Sequence, residues 1–417
     1  MRKPITTALA AVGLAVGPIS PAASAVTAWV QMVPGGAEAR LVTEAPGCPS
    51  IIVDGGSRAT VERAGPADGF ANRVCSAELR PGDRRIVIDG QVLPAPRPRP
   101  RRLVILGDSG CRLKGGAVQH CNDPTGWPFA TIAALAAARK PDLVIHVGDY
   151  YYRETACPAG IAACAGSPFG DTWATWKAEL FDPAAPLLAA APWVFTRGNH
   201  EDCKRGGAGW FRQLDAAPAA KACPAESETF AVDLGGFDLF VVDSADTDDF
   251  LAPDDKVARF AARLWPVRAR ADGASAWIVT HRPVWDSSRL GTLVGDGLVN
   301  ATEREAVKRR GLSDVGLVLS GHVHNFTSAG FGPARPPQLI VGTGGDTLDL
   351  GVAAPPASGR AWVDGLPADI FTMGRFGYFV FDRRGEDWDG RFYDARDGIA
   401  AICRLHRRAL SCRAPGS

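Results

Sequence analysis

Residues 143–152 have the sequence LVIHVGDYYY, a short apolar run that ends in a glycine, an aspartate and three tyrosines. An apolar run of this length, followed by a turn residue, predicts a buried strand. Gly148 lets the chain turn sharply where the strand ends, so Asp149 and Tyr152 fall in the loop that follows. We therefore predict an α/β domain whose strands carry polar residues into the loops at their ends.

The same alternation continues on both sides of this stretch. Apolar runs predict further strands, and the segments between them have apolar residues at helical spacing. Later in the chain, two runs around Gly385 predict a terminal hairpin, at 378–381 and 391–393. The remaining predicted strands are 103–106, 193–196, 239–242, 277–279 and 317–319, and the predicted helices are 127–138, 173–180, 255–264 and 302–310.

Four more polar motifs follow predicted strands in the same way. With Gly148-Asp149-Tyr150-Tyr151-Tyr152, the five motifs contain four of the seven histidines and three of the five tyrosines of the chain. A single Gly-Asp pair is usually only a turn, but His-x-His after a strand places two rings on one side. The set indicates a metal site. The other motifs are Gly107-Asp108-Ser109-Gly110, Gly198-Asn199-His200-Glu201, Val279-Thr280-His281 and Gly321-His322-Val323-His324.

The motif set resembles the calcineurin-like metallophosphoesterase superfamily and, within it, the purple acid phosphatases. The general superfamily has Asp-x-His in its first motif, whereas this chain has Asp108-Ser109-Gly110. Purple acid phosphatases lack the same histidine and have a tyrosine three residues after the aspartate of the second motif, where Tyr152 stands. The resemblance covers roughly residues 103–395 and implies a metallophosphoesterase-like α/β/β/α sandwich.

The resemblance also implies a role for each motif residue. One ion, ferric in the family, would be held by Asp108, Asp149, Tyr152 and His324. Asp149 would bridge to a second, divalent ion (Fe2+, Zn2+ or Mn2+) held by Asn199, His281 and His322. His200 would be the catalytic residue that faces the leaving oxygen.

The charges of this centre suit a phosphate ester. Two carboxylates and a phenolate supply three negative charges, and a trivalent with a divalent ion supplies five positive ones, so the net is about +2. The expected reaction is therefore hydrolysis of small phosphate monoesters by a metal-bound hydroxide. Three alternatives stay open: a phosphodiesterase with the same core, a non-catalytic metal- or phosphate-binding member, and a two-zinc or two-manganese hydrolase in which Tyr152 only packs.

The N-terminus predicts export. Arg2 and Lys3 precede an apolar run, Ile5–Val16, and the small-x-small pattern Ala23-Ser24-Ala25 follows. This is typical of a signal peptide, and the run is short for an uncleaved membrane anchor, the alternative. We expect a secreted or periplasmic protein with no stable membrane association after cleavage. The net charge of +1, from 46 basic and 45 acidic residues, argues against nucleic acid as a partner.

The cysteines support export, because an even number in an exported protein indicates disulfides. Nearest-neighbour pairing would close local loops, although spacing alone leaves the connectivity open. The ten cysteines fall in five close sequential pairs: Cys48/Cys75, Cys111/Cys121, Cys157/Cys164, Cys203/Cys223 and Cys403/Cys412.

Composition divides the chain into five predicted segments. They are a signal peptide (1–25), a small β-rich module (26–94), a Pro/Arg linker (95–102), the catalytic domain (103–395) and a tail with a cysteine pair (396–417). Two residues beside the motifs have open interpretations. His146 belongs either to the core or to the surroundings of the metal site, and Glu201 either orients a ligand histidine or is solvated.

Overall fold

The computed structural model describes residues 26–218, 222–268, 276–286, 289–290, 293–294, 300–349 and 356–416. The predicted signal peptide lies outside this part of the chain. Within the described residues, none of the helices has the length and apolar character needed to cross a membrane.

The described residues form six α-helices, and the four helices predicted from apolar spacing are among them. Of the six, the second helix continues through a π-helical turn, Lys177–Phe181, directly into the third helix. The sixth begins where the Asn300 side chain accepts a hydrogen bond from the Glu303 amide, and three basic residues in its last turn complement the helix dipole. The helices are α1 (Phe129–Ala138), α2 (Trp173–Trp176), α3 (Asp182–Leu188), α4 (Gly207–Gln213), α5 (Asp254–Arg263) and α6 (Ala301–Arg310).

The larger of two main sheets has eleven strands. At its centre three strands run parallel, with Leu106 opposite His146 and His146 opposite Phe195. In spatial order the strands are β27 (Ala409–Arg413), β26 (Ile399–His406), β25 (Asp387–Asp394), β24 (Gly377–Arg384), β9 (Arg102–Leu106), β12 (Leu143–His146), β13 (Trp193–Phe195), β1 (Thr27–Val33), β2 (Gly36–Thr43), β6 (Arg73–Leu79) and β5 (Val61–Ala64).

The second main sheet has eight strands, and its central part is again parallel. In spatial order they are β14 (Phe230–Asp233), β15 (Asp238–Val241), β16 (Ala276–Val279), β19 (Val315–Ser320), β21 (Gln338–Val341), β20 (Phe326–Gly330), β23 (Leu366–Met373) and β22 (Ala357–Val363). The smaller sheets are formed by β4 (Gly56–Arg58), β3 (Ile51–Val53), β7 (Arg85–Ile88) and β8 (Gln91–Pro94), by β10 (Leu113–Lys114) with β11 (Ala117–Val118), and by β17 (Arg289–Leu290) with β18 (Leu293–Val294).

The two main sheets pack face to face, and helices cover their outer faces. Side chains alternate along a strand, so Leu103 and Ile105 of β9 share a core with Trp277 of the second sheet. Val104 and Leu106 point the other way, into a second core that includes α1. A third core joins the outer face of the eight-stranded sheet to α5 and α6. This is the predicted α/β/β/α arrangement.

Residues 26–94 are β-rich, as predicted, but they are continuous with the larger sheet. Four of their strands extend it, and β1 lies parallel to β13 with Gln31 opposite Trp193. At the other edge β24 and β25 form the predicted hairpin, and the cysteine-bearing tail adds β26 and β27. The division into module, linker, catalytic domain and tail stays a prediction, since strands on both sides of 95–102 share one sheet.

All ten cysteines are paired, each with its close neighbour in sequence. The five bonds are Cys48–Cys75, Cys111–Cys121, Cys157–Cys164, Cys203–Cys223 and Cys403–Cys412. A disulfide framework of this kind is typical of proteins from oxidising compartments outside the cytosol.

Candidate metal centre

The five polar motifs meet because each follows the carboxyl end of a parallel strand. Three of these strands, β9, β12 and β13, belong to the larger sheet, and β16 and β19 belong to the second. Carboxyl ends of neighbouring parallel strands lie at one edge of a sheet. The packing of the two sheets brings both edges together.

Three motif residues adopt backbone angles that side chains other than glycine rarely take. The φ angles of Asp108, Asp149 and His322 are 55°, 56° and 69°. Positive φ in a non-glycine residue costs about 1 kcal/mol or more and persists only where surrounding contacts hold it. Strained residues at strand ends of both sheets are typical of functional sites.

Two glycines of the motifs are required by close approach. A Cβ on Gly198 would lie 2.0 Å from Oδ1 of Asp149, and one on Gly321 would lie 2.3 Å from Oδ2 of Asp108. Real Cβ atoms do not approach other atoms this closely, so any larger residue would displace a carboxylate. The glycines therefore let the backbone of one motif pack against the aspartate of another.

The first group of donor atoms surrounds the Tyr152 hydroxyl. This buried oxygen lies 3.2 Å from Oδ1 of Asp108, 2.9 Å from Oδ2 of Asp149 and 3.0 Å from Nε2 of His324. The His324 Nε2 atom also lies 3.3 Å from Oδ1 of Asp108. The structure thus brings together all four residues expected at the first metal ion.

The second group surrounds Nε2 of His281, which lies 3.1 Å from Oδ2 of Asp149 and 3.1 Å from Oδ1 of Asn199. His322 completes it, because one atom each of Asp149, His281 and His322 lie within 4.8 Å of one another. Asp149 is common to both groups. Its Oδ2 atom is in contact with one member of each group, the Tyr152 hydroxyl and Nε2 of His281.

The protonation of two histidines fits a cation at this place. Nδ1 of His281 lies 2.9 Å from the Val147 carbonyl, and Nδ1 of His324 lies 2.7 Å from the Thr347 carbonyl. A carbonyl only accepts, so Nδ1 carries a proton, and when the ring is neutral Nε2 presents a lone pair. Those lone pairs face carboxylate, amide and phenol oxygens, and a shared metal ion would satisfy all of them.

The charge of the centre favours a cation as well. Burial disfavours charged imidazole, yet the Asp149 carboxylate raises the pKa of His281 to about 9. At His324 burial is likewise outweighed, here by Asp346 and Asp108, and the pKa rises to about 10. Burial and the carboxylates of Asp149 and Asp108 hold the pKa of the Tyr152 phenol well above its usual value. A bound metal ion would reverse these effects, because its charge stabilises a neutral imidazole and a phenolate.

His200 lies beside the centre rather than within either group of donor atoms. Its amide donates to Oδ1 of Asp149 at 2.9 Å, and its ring packs on Tyr152 with the centroids 4.0 Å apart. Nδ1 lies 2.9 Å from Oε1 of Glu154, without hydrogen-bond alignment. Burial lowers the pKa of His200, while the Asp149 and Glu154 carboxylates oppose this effect.

Two buried glutamates hold the loops of the larger sheet in place. Glu201 accepts hydrogen bonds from the amides of Gly198, Asp149, Tyr150 and Tyr151 at 2.8–3.2 Å. Both interpretations of Glu201 from sequence are therefore wrong, since it is buried and binds loop backbone rather than a ligand histidine. Burial and Asp149 raise its pKa to about 8.

Glu179, which the sequence did not suggest, does the same for the loop that carries Tyr152. Its carboxylate accepts from the amides of Cys111 and Tyr152 at 2.9 and 3.1 Å. Burial raises the pKa of Glu179 to about 8 against the opposing charge of Arg153. His146 lies in the core below, where its ring stacks on Tyr150 at 4.1 Å.

Two aspartates near the donor atoms lie outside the five motifs. Asp249 has Oδ1 3.1 Å from Nε2 of His322, and Asp346 has Oδ2 3.3 Å from Nδ1 of His324 and pairs with Arg112. Asp346 ends the run Gly342-Thr343-Gly344-Gly345-Asp346 after β21, so its place after a parallel strand was a usable signal. Asp249 comes eight residues after β15, and its sequence context does not distinguish it.

Comparisons with known proteins give the family and the fold. Residues 102–326 match the model of the family described as calcineurin-like phosphoesterase. No curated protein matches the sequence. Among solved structures, the purple acid phosphatase PPD1 from yellow lupin (Lupinus luteus) seeds has a TM-score of 0.56 and 13% identity, and the match covers 94% of this chain and 74% of that chain. A structure of PhoD has the same TM-score and identity, and the match covers 96% of this chain and 94% of that chain.

Identity at this level shows a shared fold, whereas the family model spans more than half of the chain. The chain belongs to the calcineurin-like phosphoesterase family.

Proposed function

We propose that this protein hydrolyses phosphate monoesters at a dinuclear centre of the Fe3+–M2+ type. The observation that carries the proposal is the environment of Tyr152, whose hydroxyl lies within 3.2 Å of two carboxylates and an imidazole nitrogen. The hydroxyl therefore points into a cluster of metal-ligating atom types rather than to a single hydrogen-bond acceptor. Phenolate, carboxylate and imidazole together suit a hard ferric ion.

The second ion would have a different set of donors. Asn199 and Asp149 offer oxygen, while His281 and His322 offer nitrogen, a combination suited to Zn2+, Fe2+ or Mn2+. When bound, two such ions lower the pKa of a water molecule and neutralise charge on the phosphoryl oxygens.

Asp149 has the geometry of the shared ligand. Its Oδ2 atom lies near both the Tyr152 hydroxyl and His281 Nε2, at 2.9 and 3.1 Å, while Oδ1 accepts the amide of His200. That amide fixes the carboxylate, so Oδ2 is the atom directed toward both groups of donors.

We assign His200 the proton that the leaving oxygen requires. Glu154 lies next to Nδ1 and is itself within 3.3 Å of the Lys114 ammonium. The Glu154 carboxylate opposes the lowering of the His200 pKa by burial, and in the protonated ring the other nitrogen donates. Arg205, 3.7 Å from Glu154, adds a positive charge at the same side of the centre.

The alternatives from the sequence differ in what they predict for substrates and metals. A phosphodiesterase would prefer a substrate with one negative charge, whereas a centre with net charge of about +2 favours the phosphate dianion. A non-catalytic member would bind phosphate without turnover. A two-zinc or two-manganese hydrolase would be active but colourless.

The test combines metal analysis, a visible spectrum and two substrates. We expect one iron and one divalent ion per chain, a phenolate-to-iron charge-transfer band, and faster hydrolysis of p-nitrophenyl phosphate than of bis(p-nitrophenyl) phosphate. A faster reaction with the diester would contradict monoester specificity, and an active protein free of iron would contradict the metal assignment. The five disulfides also lead us to propose a secreted or periplasmic location.

A further inference from the structure

The three histidines at the centre do not present the same ring nitrogen to it. In His281 and His324, Nδ1 is held by a main-chain carbonyl and Nε2 faces the donor cluster. In His322 the arrangement is reversed, because Nε2 lies 3.1 Å from Oδ1 of Asp249. Only Nδ1 of His322 is then left for a metal ion.

Asp249 itself does not belong to the cluster of donor atoms. Among the described residues, the group whose ligand atoms lie within 4.8 Å of one another contains Asp149, His281 and His322, and Asp249 is not a member. Its carboxylate therefore contacts the His322 ring without being grouped with the donor atoms of Asp149 and His281. The other end of His322 is fixed too, since its amide donates to both oxygens of Asp108 at 3.1 Å.

Arg282 holds the Asp249 carboxylate in this position. Its Nε lies 2.9 Å from Oδ1 of Asp249, and its Nη1 donates to the carbonyls of Ser244 and Ala245 at 2.8 and 3.1 Å. The Asp249 carbonyl accepts from the amide of Ala301 at the start of α6 at 3.1 Å. Arg282 directly follows His281, so one short segment supplies both a donor to the centre and the support of its neighbour.

We propose that Asp249, held by Arg282, is a positioning residue for the second metal ion, fixing His322 so that Nδ1 binds it. This inference rests on the proposed function, because it concerns the same centre. A carboxylate accepts only, so it keeps the proton on Nε2 and leaves the lone pair on Nδ1. It also increases the basicity of the ring more than a carbonyl does, because it carries a full negative charge.

The consequence is an asymmetry between the ions. Asp249 contacts His322, an expected ligand of the divalent ion. Its side-chain contacts, to His322 and Arg282, include none of the residues expected to hold only the ferric ion. Loss of its charge should weaken divalent binding by about 10–100-fold, the range for groups that orient a ligand histidine. The phenolate-to-iron band should stay unchanged.

The experiment measures the affinity of the divalent site for Zn2+ by chelator competition in iron-loaded protein. Asp249→Asn keeps an acceptor but removes the charge, and Asp249→Ala removes both, so we expect losses near the lower and upper ends of that range. Asp246→Asn is the matched control, because Asp246 lies in the same loop but pairs with Lys256 and Arg259. At saturating Zn2+ the Asp249→Asn variant should regain the wild-type kcat, which a structural defect would not allow.

The possible results separate this inference from the proposed function. Wild-type affinity in Asp249→Asn and Asp249→Ala would overturn the positioning role while leaving the phosphatase proposal intact. A loss of the charge-transfer band together with Zn2+ would also overturn it, since Asp249 would then support the whole centre. A wild-type protein that binds no divalent ion would contradict the proposed function and this inference with it.

Discussion

The two main sheets contribute different chemistry to the centre. Loops after β9, β12 and β13 of the larger sheet supply only oxygen donors, and loops after β16 and β19 of the second sheet supply only imidazoles. The oxygen donors are Asp108, Asp149, Tyr152 and Asn199, and the nitrogen donors are His281, His322 and His324.

This difference means that neither sheet by itself supplies the full set of candidate ligands. The close pairs Asp149–His281 and Tyr152–His324 both cross from one sheet to the other. Their distances depend on the apolar core between the sheets, where Leu103 and Ile105 pack with Trp277. Burial of large side chains there fixes the sheet separation, so the core sets the geometry of the centre.

The largest effect is expected from removing the Asp149 carboxylate, which is shared by both groups of donor atoms. Asp149→Ala should lose both metal ions and all measurable phosphatase activity, because Oδ2 lies near donors of each ion. Asn199→Ala is the matched variant and should lose mainly the divalent ion, since Asn199 contacts the second group through His281. Metal content per chain measures both. Two ions retained in Asp149→Ala would contradict the shared role.

The next largest effect should come from His200, which lies on the oxygen side but outside both groups of donor atoms. His200→Ala should keep both ions and lose roughly 10²–10⁴ in kcat on alkyl phosphates, because their leaving oxygen needs a proton. Aryl phosphates, whose phenolate leaves unprotonated, should lose much less. The kcat values of wild type and His200→Ala on one alkyl and one aryl phosphate test whether His200 protonates the leaving oxygen.

Two outcomes would assign His200 differently. Equal losses on both substrates, with the metals intact, would mean that His200 holds the phosphoryl group. Loss of the metals would make it a structural residue of the Gly198-Asn199-His200-Glu201 turn.

A smaller effect on activity, but a clear spectroscopic one, is expected at Tyr152. Tyr152→Phe should abolish the charge-transfer band while the ring continues to pack on His200. The remaining donors, Asp108, Asp149 and His324, should retain part of the iron. A visible spectrum with iron analysis checks this, and an unchanged band would exclude Tyr152 as the phenolate ligand.

The smallest effect on activity should follow loss of a disulfide beside the oxygen donors. Cys203→Ser with Cys223→Ser opens a bond with a sequence separation of 20, which should lower the free energy of unfolding by about 3 kcal/mol. Asn199 and His200 lie just before Cys203, so the divalent ion should also bind slightly more weakly. Denaturant unfolding and metal titration measure the two effects.

The control for this double variant is the Cys403–Cys412 disulfide at the far edge of the larger sheet. Replacing Cys403 and Cys412, with a separation of 9, should reduce stability by a similar or smaller amount and leave metal binding unchanged. Weaker metal binding in both variants would show that general loosening, rather than the local loop, is responsible.

The core of the site was predictable from sequence because its ligands are encoded locally. Each of Asp108, Asp149, Asn199, His281 and His322 follows an apolar strand within a few residues, and glycines mark most of the turns. Parallel strands end at one edge of their sheet, so residues just after those ends lie near one another. The motif positions predicted that these side chains meet, the family resemblance implied which of them are ligands, and the structure brings them together.

The surrounding residues were not predictable for the opposite reason. Asp249 is one of several acidic residues in a loop, and only the packing of that loop against Arg282 and α6 selects it. Glu179 reaches Tyr152 from a helical segment 27 residues away. Such contacts follow from tertiary packing. The periodicity of a single sequence predicts helices and strands but not which of them pack together.

The sequence by itself determined the strand-end motifs, the α/β class, the family resemblance and the close spacing of the cysteines, because all of these are local. Only the tertiary structure decided that β1 extends the larger sheet beside β13 and that Asp249 faces His322. The physical reason is that these contacts join residues 73 or more positions apart. Their partners are chosen by how two sheets and their helices bury apolar surface together.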